Sequence, residues 1–565
     1  MLKKLALILI AAVLLSGAKP YTIMIYMNGS DLESEHGLAT DDIVEMLESG
    51  LKSEVANLVI FTGGTLRWLN DVMQDGQSAI WDIEDGYIYE VARLGALNMG
   101  DPHTLADFLL FAMENYPADK YGLIMWDHGG GSIAGFGHDE VFYDDYLSLV
   151  DMDYAFELAG LRTNKLEFLG FDTCLMGSVE MALIASDYAK YFIASEDLEP
   201  GEGWDYRILG VLNDKPAISG GELGVYIVDS FMDFFGEDSD EILTLSVVDL
   251  SRVAPVMDAL GALMERCRDN LSEDEMRYFR AFAKRRGLTK TFGAGSYRDS
   301  DSDMVDIGDM ATRLGDLFPE ETNAVLAALN HAVLYNRHNS DVDLGGLSSY
   351  YIYAGKQNAD GFIQTYKSLG MDESYTKYLR DFADLLTGTA AVTRSGGRRV
   401  AEFDYGSIMR VELALLREME DGQAAISGLL PIDMAYEPQD AIWPTINGHY
   451  VMLCEINRTA HRVYHAVPGR HNGQDCDIIV CYDIHGQNGK VLGTRSDDGM
   501  VVQKGLDPIR PGDTLAFYHK RPGQGLILGP EFTINSPLQI KPAPPANSHF
   551  GLLLTDAAGN EVFVY

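Results

Sequence analysis

Short, almost fully apolar runs alternate with stretches of helical spacing through the first two hundred residues. The runs are Tyr21–Met27, Val55–Thr62, Tyr121–Trp126, Lys165–Phe171 and Tyr191–Ser195. Helical spacing occupies Thr40–Glu48, His103–Tyr116, residues 149–161 and Ser178–Tyr188. Strands that are apolar on both faces and separated by helices predict a mostly parallel sheet covered on both sides. Residues 78–94 break the rhythm and predict a hairpin around Glu84-Asp85-Gly86. From about 250 to 340 the period is helical, an insertion into the α/β pattern, and the β-rich stretch 346–355 is expected to return a strand to the first sheet. After about 390 short alternating strands with Pro and Gly punctuation predict a separate, all-β sandwich-like or barrel-like domain over 391–565.

The N-terminus has a different character. Lys3 and Lys4 precede the unbroken apolar run Leu5–Leu15, and Ser16-Gly17-Ala18 supplies small residues at its end. This is the layout of a secretory signal over residues 1–18, and the run is too short to span a bilayer comfortably. The chain is therefore expected to be exported, to the cell envelope or beyond, with no membrane span once the signal is removed. Its five cysteines are far too few for a disulfide scaffold, and an odd count leaves at least one thiol outside any intramolecular pairing.

Charge changes the picture of partners. Lys and Arg number 43 against 85 Asp and Glu, a formal net charge of −42. Phosphate backbones need a basic footprint, so nucleic acid is excluded as a general partner, and an anionic membrane surface is disfavoured. Residues 121–160 hold eight of the acids and neither Lys nor Arg.

In an open parallel sheet, ligands gather beyond the carboxyl ends of the strands. Two strand ends carry chemistry. One reads Trp126-Asp127-His128-Gly129-Gly130-Gly131, the next Gly170-Phe171-Asp172-Thr173-Cys174-Leu175-Met176-Gly177. A histidine and a thiol on successive strand ends supply the two parts of a Cys-His nucleophilic pair, with glycine-flanked amides available to an oxyanion. Each part has a plainer reading: the cysteine as a small buried hydrophobe, the histidine as a turn residue.

The strings "IMWDHGGG", "FLGFDTCLMGSVE", "YTIMIYMNGSDLES" and "ASEDLEPGEGWDY" resemble, in wording and order, the clostripain family of cysteine endopeptidases, within the clan of caspases, gingipains and legumain. The resemblance covers roughly residues 20–390. It implies a caspase-like α/β/α sandwich for residues 19–390, carrying a Cys-His dyad. Cys174 matches the nucleophile, His128 the base or acid, and the amides of Gly129 and Cys174 the oxyanion hole. It also implies no obligatory third catalytic member. Asp172 matches an acid at the floor of the pocket that selects Arg or Lys, although a helix-capping role is the plainer alternative. Among Glu196, Asp197, Glu202, Trp204 and Asp205, which follow the next strand, Asp205 is taken as a further substrate-binding residue. The expected activity is cleavage of protein or peptide substrates after basic residues, with no cofactor required. One departure stands out. Relatives are commonly self-processed between the His and Cys strands, yet no Lys or Arg lies between Lys120 and Arg162. Self-cleavage inside 129–161 is not expected.

Other constellations are weaker. Asp127, His128, His138, Asp139 and Glu140 lack a one-face metal spacing. Asp299, Asp301 and Asp303 open like a calcium loop, but Met304 and Met310 stand where that template needs Gly and Glu. The resemblance nonetheless leaves a structural calcium ion open. A reading of a different class also stays open, a non-catalytic surface protein that binds protein or glycan through its β-rich tail. Oligomeric state is not legible.

Overall fold

The computed structural model describes residues 18–565 apart from 237–238, 296–302, 354–358, 387–389, 396–397, 404–407, 432–441, 487, 497–502, 546–547 and 557. Residues 1–17 of the signal expected over 1–18 therefore lie outside the described residues.

A nine-stranded sheet organises the first two thirds of the chain. Its strands are β1 (Lys19–Asn28), β2 (Ala56–Gly63), β3 (Ser78–Glu84), β4 (Tyr87–Gly95), β5 (Ala118–Trp126), β6 (Leu166–Asp172), β7 (Ala189–Ala194), β8 (Thr244–Asp249) and β9 (Val333–His338). They lie in the order β9-β8-β7-β6-β5-β1-β2-β3-β4. The central five, β2 to β7 through β1, are parallel, and both margins are antiparallel. Alternation along β1 serves two cores. Ile23, Ile25 and Met27 pack with Trp126 and Phe168 on one face, while Met24 and Tyr26 pack with Met125 and Phe171 on the other. This is the apolar-both-faces pattern that the sequence carries. The β3–β4 hairpin turns on Asp85 and Gly86, both at positive φ (49° and 83°), the conformation a two-residue primed turn demands.

The insertion is helical as expected, with long helices at Ala254–Glu273, Glu275–Arg286 and Pro319–Ala332. The returning strand is a correction. It is β9, which pairs with β8, whereas Ser348–Tyr350 joins a small separate sheet beside Met304–Asp306. The run "NHAVLY" continues a helical period, so its switch to strand at Val333 is set by the free edge of β8 rather than by local pattern.

The tail is β-rich. Strands β10 (Arg462–His471), β11 (Gln474–Asp483), β12 (Lys490–Ser496) and β13 (Thr514–Arg521) belong to its large antiparallel sheet. It is not set apart from the α/β unit. Arg462 and Lys490 both pair with Asp240, Asn457 donates to Asp197 at 2.6 Å, Lys290 donates to Asn457 at 2.6 Å, and Arg495 donates to the Ala294 carbonyl at 2.6 Å. Cys174, Cys267 and Cys481 are free thiols. No helix among the described residues is long and apolar enough to cross a membrane.

Candidate functional site

The chain reverses direction across the sheet between β1 and β5, the position where open α/β sheets form a crevice. The register aligns Met27 with Trp126 and Trp126 with Asp172, so β1, β5 and β6 end side by side. Asp31, His128 and Cys174 follow within a few residues of those ends. Gly129 must be glycine for the two strand ends to come together: a Cβ there would lie 2.1 Å from the Cys174 carbonyl oxygen. The bridge between Gly129 and Phe136 is closed by flanking amides, Gly137 to His128 O and Gly130 to Gly135 O. Gly129's own N–H is left out of that bridge. Beyond Cys174 the chain turns sharply through Leu175 at φ 63°, pinned by Leu175 N to Asp197 O and Gly177 N to Ser195 O.

His128 is held from both sides. Its Nε2 lies 2.8 Å from Asp31 Oδ1, and its Nδ1 accepts from the backbone N–H of Lys504 at 2.8 Å. Nδ1 therefore carries no proton here, and Nε2–H faces the carboxylate. Burial opposes a charged imidazole, but Asp31 outweighs it and raises the histidine's affinity for a second proton. Asp31 itself is held far below the usual carboxylate range, against burial, by His128. A buried residue sets Asp31 in place. Asp127 accepts from Asn28 Nδ2, Ser30 Oγ and His138 N, locking the turn in which Ser30 adopts φ 45°. Both carboxylate oxygens of Asp127 are thus engaged within this turn. Asp31, which follows β1, is thus a third group at this histidine, and sequence reasoning did not single it out because nothing local marks it.

Asp172 and its surroundings form a closed pocket, and that pocket is filled. The Lys504 ammonium contacts Asp172 Oδ1, sits 3.1 Å from the Asp172 carbonyl and 3.7 Å from Glu199 Oε2, and lies over the Trp126 ring. The side chains of Lys504, Asp172 and Glu199 are all 0% exposed. Tyr206 OH and Trp204 N donate to Asp172 Oδ2 at 2.9 and 3.3 Å. Asp42 stands behind, accepting from Trp126 Nε1 at 2.5 Å. Three buried carboxylates around one ammonium cannot all ionise. Burial, followed by the Asp172 charge, pushes Asp42 well above its usual range; burial also pushes Glu199 up, against Lys504. Lys504 is held charged chiefly by Asp172, against burial.

Asp205, expected beside Asp172, is elsewhere. It caps the turn at Tyr206–Gly210, accepting from Arg207, and takes a hydrogen bond from Ser230. Glu196 and Asp197 are also committed, to Gly346 N and to Asn457 with Leu198 N respectively. The second pocket carboxylate is Glu199, in the same loop but absent from the sequence-based set. Cys174 is fully buried under the tail. Glu199 N donates to its sulfur at 3.3 Å, the Gln503 carbonyl lies 3.9 Å from it, and burial pushes the thiol up to about 12. In this arrangement the sulfur is a thiol rather than a thiolate.

Asp303 of the calcium-like stretch pairs with Arg286 at 2.9 Å, both 2% exposed, while Asp299 and Asp301 lie outside the described residues. Within residues 129–161, Asp139 is buried and accepts from Met99 N, Val141 N and Phe142 N, while Tyr143 is exposed.

Clostripain of Hathewaya histolytica is 29% identical over 189 residues, 28% of this chain and 35% of that protein, so the match spans only part of the relative's length. A secreted cysteine protease of Bacteroides thetaiotaomicron, solved with an irreversible peptide inhibitor, is 19% identical and covers 62% of this chain and 99% of its own, with a TM-score of 0.48. An inactive zymogen protease of Parabacteroides distasonis is 20% identical over 64% of this chain and 99% of its own, with a TM-score of 0.46. The clostripain family profile matches residues 25–395, well over half of the 565 residues. The chain belongs to the clostripain family.

Proposed function

We propose that this chain is an exported cysteine endopeptidase that cleaves protein and peptide substrates after Lys or Arg, with Cys174 as nucleophile and His128 as proton carrier. The observation that carries the specificity is the lysine side chain enclosed against Asp172 and Glu199. A closed, fully buried pocket with a fixed carboxylate discriminates by charge, because a neutral side chain would leave that carboxylate unpaired.

The reaction follows from the geometry once the crevice is open. The Cys174 thiolate attacks the carbonyl carbon of the basic residue, and the developing oxyanion lies toward the amides of Gly129 and Cys174. The C–N bond breaks as His128 passes its proton to the leaving amine, leaving a thioester. Water then attacks the thioester carbonyl, gives a proton back through His128, and releases the acid and the thiol. No cofactor enters these steps. Asp31 orients the ring and favours its protonated form.

The test is unbiased profiling of cleaved bonds with a Lys504→Glu chain, whose pocket is empty, before and after iodoacetamide. Cuts confined to bonds after Lys or Arg and abolished by alkylation are expected. Cuts after neutral residues would overturn the specificity, and activity resistant to alkylation would overturn the cysteine mechanism.

Two smaller effects follow in the same background. Asp31→Asn keeps an acceptor for Nε2–H but removes the charge, so His128 loses its proton more readily. A fall in kcat of about 10- to 100-fold is expected, with the alkaline limb of the pH–rate profile moved to lower pH. A merely structural role would lower the rate without moving that limb. Close to Asp31, Glu35 feels the charges of Asp31 and Glu140, and Asp144 meets His138 at 3.3 Å, so the local field is acidic. On basic peptides kcat/KM should fall several-fold as salt rises from about 0.01 to 0.15 M, with kcat unchanged.

A further inference from the structure

Lys504 belongs to the tail, 332 residues beyond Asp172, yet it fills the pocket assigned above to substrate. Its segment is anchored on both sides. Gln503 Oε1 accepts from Ser496 N at 2.6 Å, at the end of β12. Asp507 exchanges backbone hydrogen bonds with Thr494 at 2.8 and 2.9 Å, and its carboxylate meets His36 at 2.9 Å. Between these anchors Gly505, at φ 75°, donates to the Glu199 carbonyl and presses on Gly201, where a Cβ would come within 2.9 Å of the Gly201 Cα. The segment is thus fixed to its own sheet and seated on the α/β unit.

The way it lies matters as much as its presence. A substrate cut after lysine presents the bond that follows the lysine, with the next residue's nitrogen near the histidine as leaving amine. Here the group on His128 Nδ1 is the N–H of Lys504 itself, and the carbonyl near the sulfur belongs to Gln503. The peptide bond spanning the Cys-His pair is the one before the lysine. The side chain in the pocket and the bond over the nucleophile are therefore out of step, which is how an inhibitor differs from a substrate. The bond before Lys504 would need glutamine to be the selected residue, and Gln503 is not in the pocket.

We propose that Gln503–Asp507 is a built-in inhibitor: the tail inserts Lys504 into the substrate pocket, caps His128 with a backbone amide, buries Cys174, and keeps the full chain latent until the segment is withdrawn. The inhibitory role rests on the reading of this pocket as the substrate site. It also gives the tail a role. With no Lys or Arg between Lys120 and Arg162, latency is held by a distant segment instead of by a processing loop there.

The full chain, Lys504→Glu and Gly505→Val test this. The first places a carboxylate against Asp172 and Glu199; the second clashes with Gly201 and leaves Lys504 and the pocket unchanged. Two readouts are taken: site-resolved iodoacetamide labelling of Cys174 by peptide mass mapping, and turnover of lysine- and arginine-ended fluorogenic peptides. If the closed form dominates, both rise at least about ten-fold in either variant, with thermal midpoints showing both variants folded. Labelling of Cys174 at equal rates in all three folded chains would overturn the inhibitor. So would a full chain found cut after Lys504, which would make the segment a substrate. If labelling rises but no lysine- or arginine-ended peptide is turned over, the inhibitor stands and the proposed specificity falls. If every chain turns over the peptides equally, the specificity stands and the inhibitor falls.

Discussion

Asp172→Asn, introduced beside Lys504→Glu so that the pocket is free, is expected to cut kcat/KM on lysine-ended peptides by about two to four orders of magnitude. The estimate comes from the buried pair. Removing one partner of a desolvated ion pair costs about 3–5 kcal/mol, and each 1.36 kcal/mol is ten-fold in rate. Asparagine still offers an oxygen to Tyr206 and Trp204, so the pocket wall keeps its shape. The loss is therefore electrostatic. Glu199 cannot replace the charge without cost, because burial holds it toward the neutral form. The same substitution in the otherwise unchanged chain should speed iodoacetamide labelling of Cys174, since Lys504 loses its principal counter-charge. Steady-state measurement of both chains checks the pair of effects. Turnover unchanged by Asp172→Asn would remove Asp172 from substrate selection.

The parts of this site that sequence reasoning reached are those with a local signature. His128 and Cys174 each follow an apolar strand and sit among glycines, so the strand pattern points to them, and family wording points to Asp172. Asp31, Asp42, Glu199 and Lys504 have no such mark. They meet because β1, β5 and β6 lie side by side and because the tail folds back, facts of topology that no window of sequence contains. Asp205 misled for the converse reason. It is adjacent in sequence to Trp204, whose amide does face Asp172, but its side chain is spent capping the next turn. The stretch "VQKGLD" holding Lys504 has ordinary composition, and only its partners give it meaning. The central parallel strands were legible because burial on both faces leaves them uniformly apolar. The edge strand Val333–His338 was not, since its half-buried residues alternate too weakly to announce it.

Gly203→Ala should separate the two roles of the pocket in a single chain. Gly203 stands at φ 61°, and a Cβ there would lie 2.5 Å from Asp172 Oδ1 and 2.6 Å from the Lys504 ammonium. The methyl would occupy the space in which the charged tip must sit, while Cys174, His128 and the Gly129 amide keep their positions. Asp172 is held in place by Trp204 N and Tyr206 OH, which leaves it little room to give way. A substrate lysine and Lys504 are excluded alike, so the consequences run in opposite directions. Turnover of lysine-ended peptides should fall by about 100-fold or more in the Lys504→Glu background, by the logic that a misplaced contact of 1 Å costs about that much. Labelling of Cys174 in the otherwise unchanged chain should rise, because the inhibitory segment can no longer seat. A backbone penalty of about 1 kcal/mol accompanies the substitution, from alanine in the left-handed region, and the thermal midpoint measures it. A variant that loses both turnover and Cys174 labelling while remaining folded would mean that Gly203 shapes the nucleophile's surroundings rather than the pocket, and the shared-pocket account would fail.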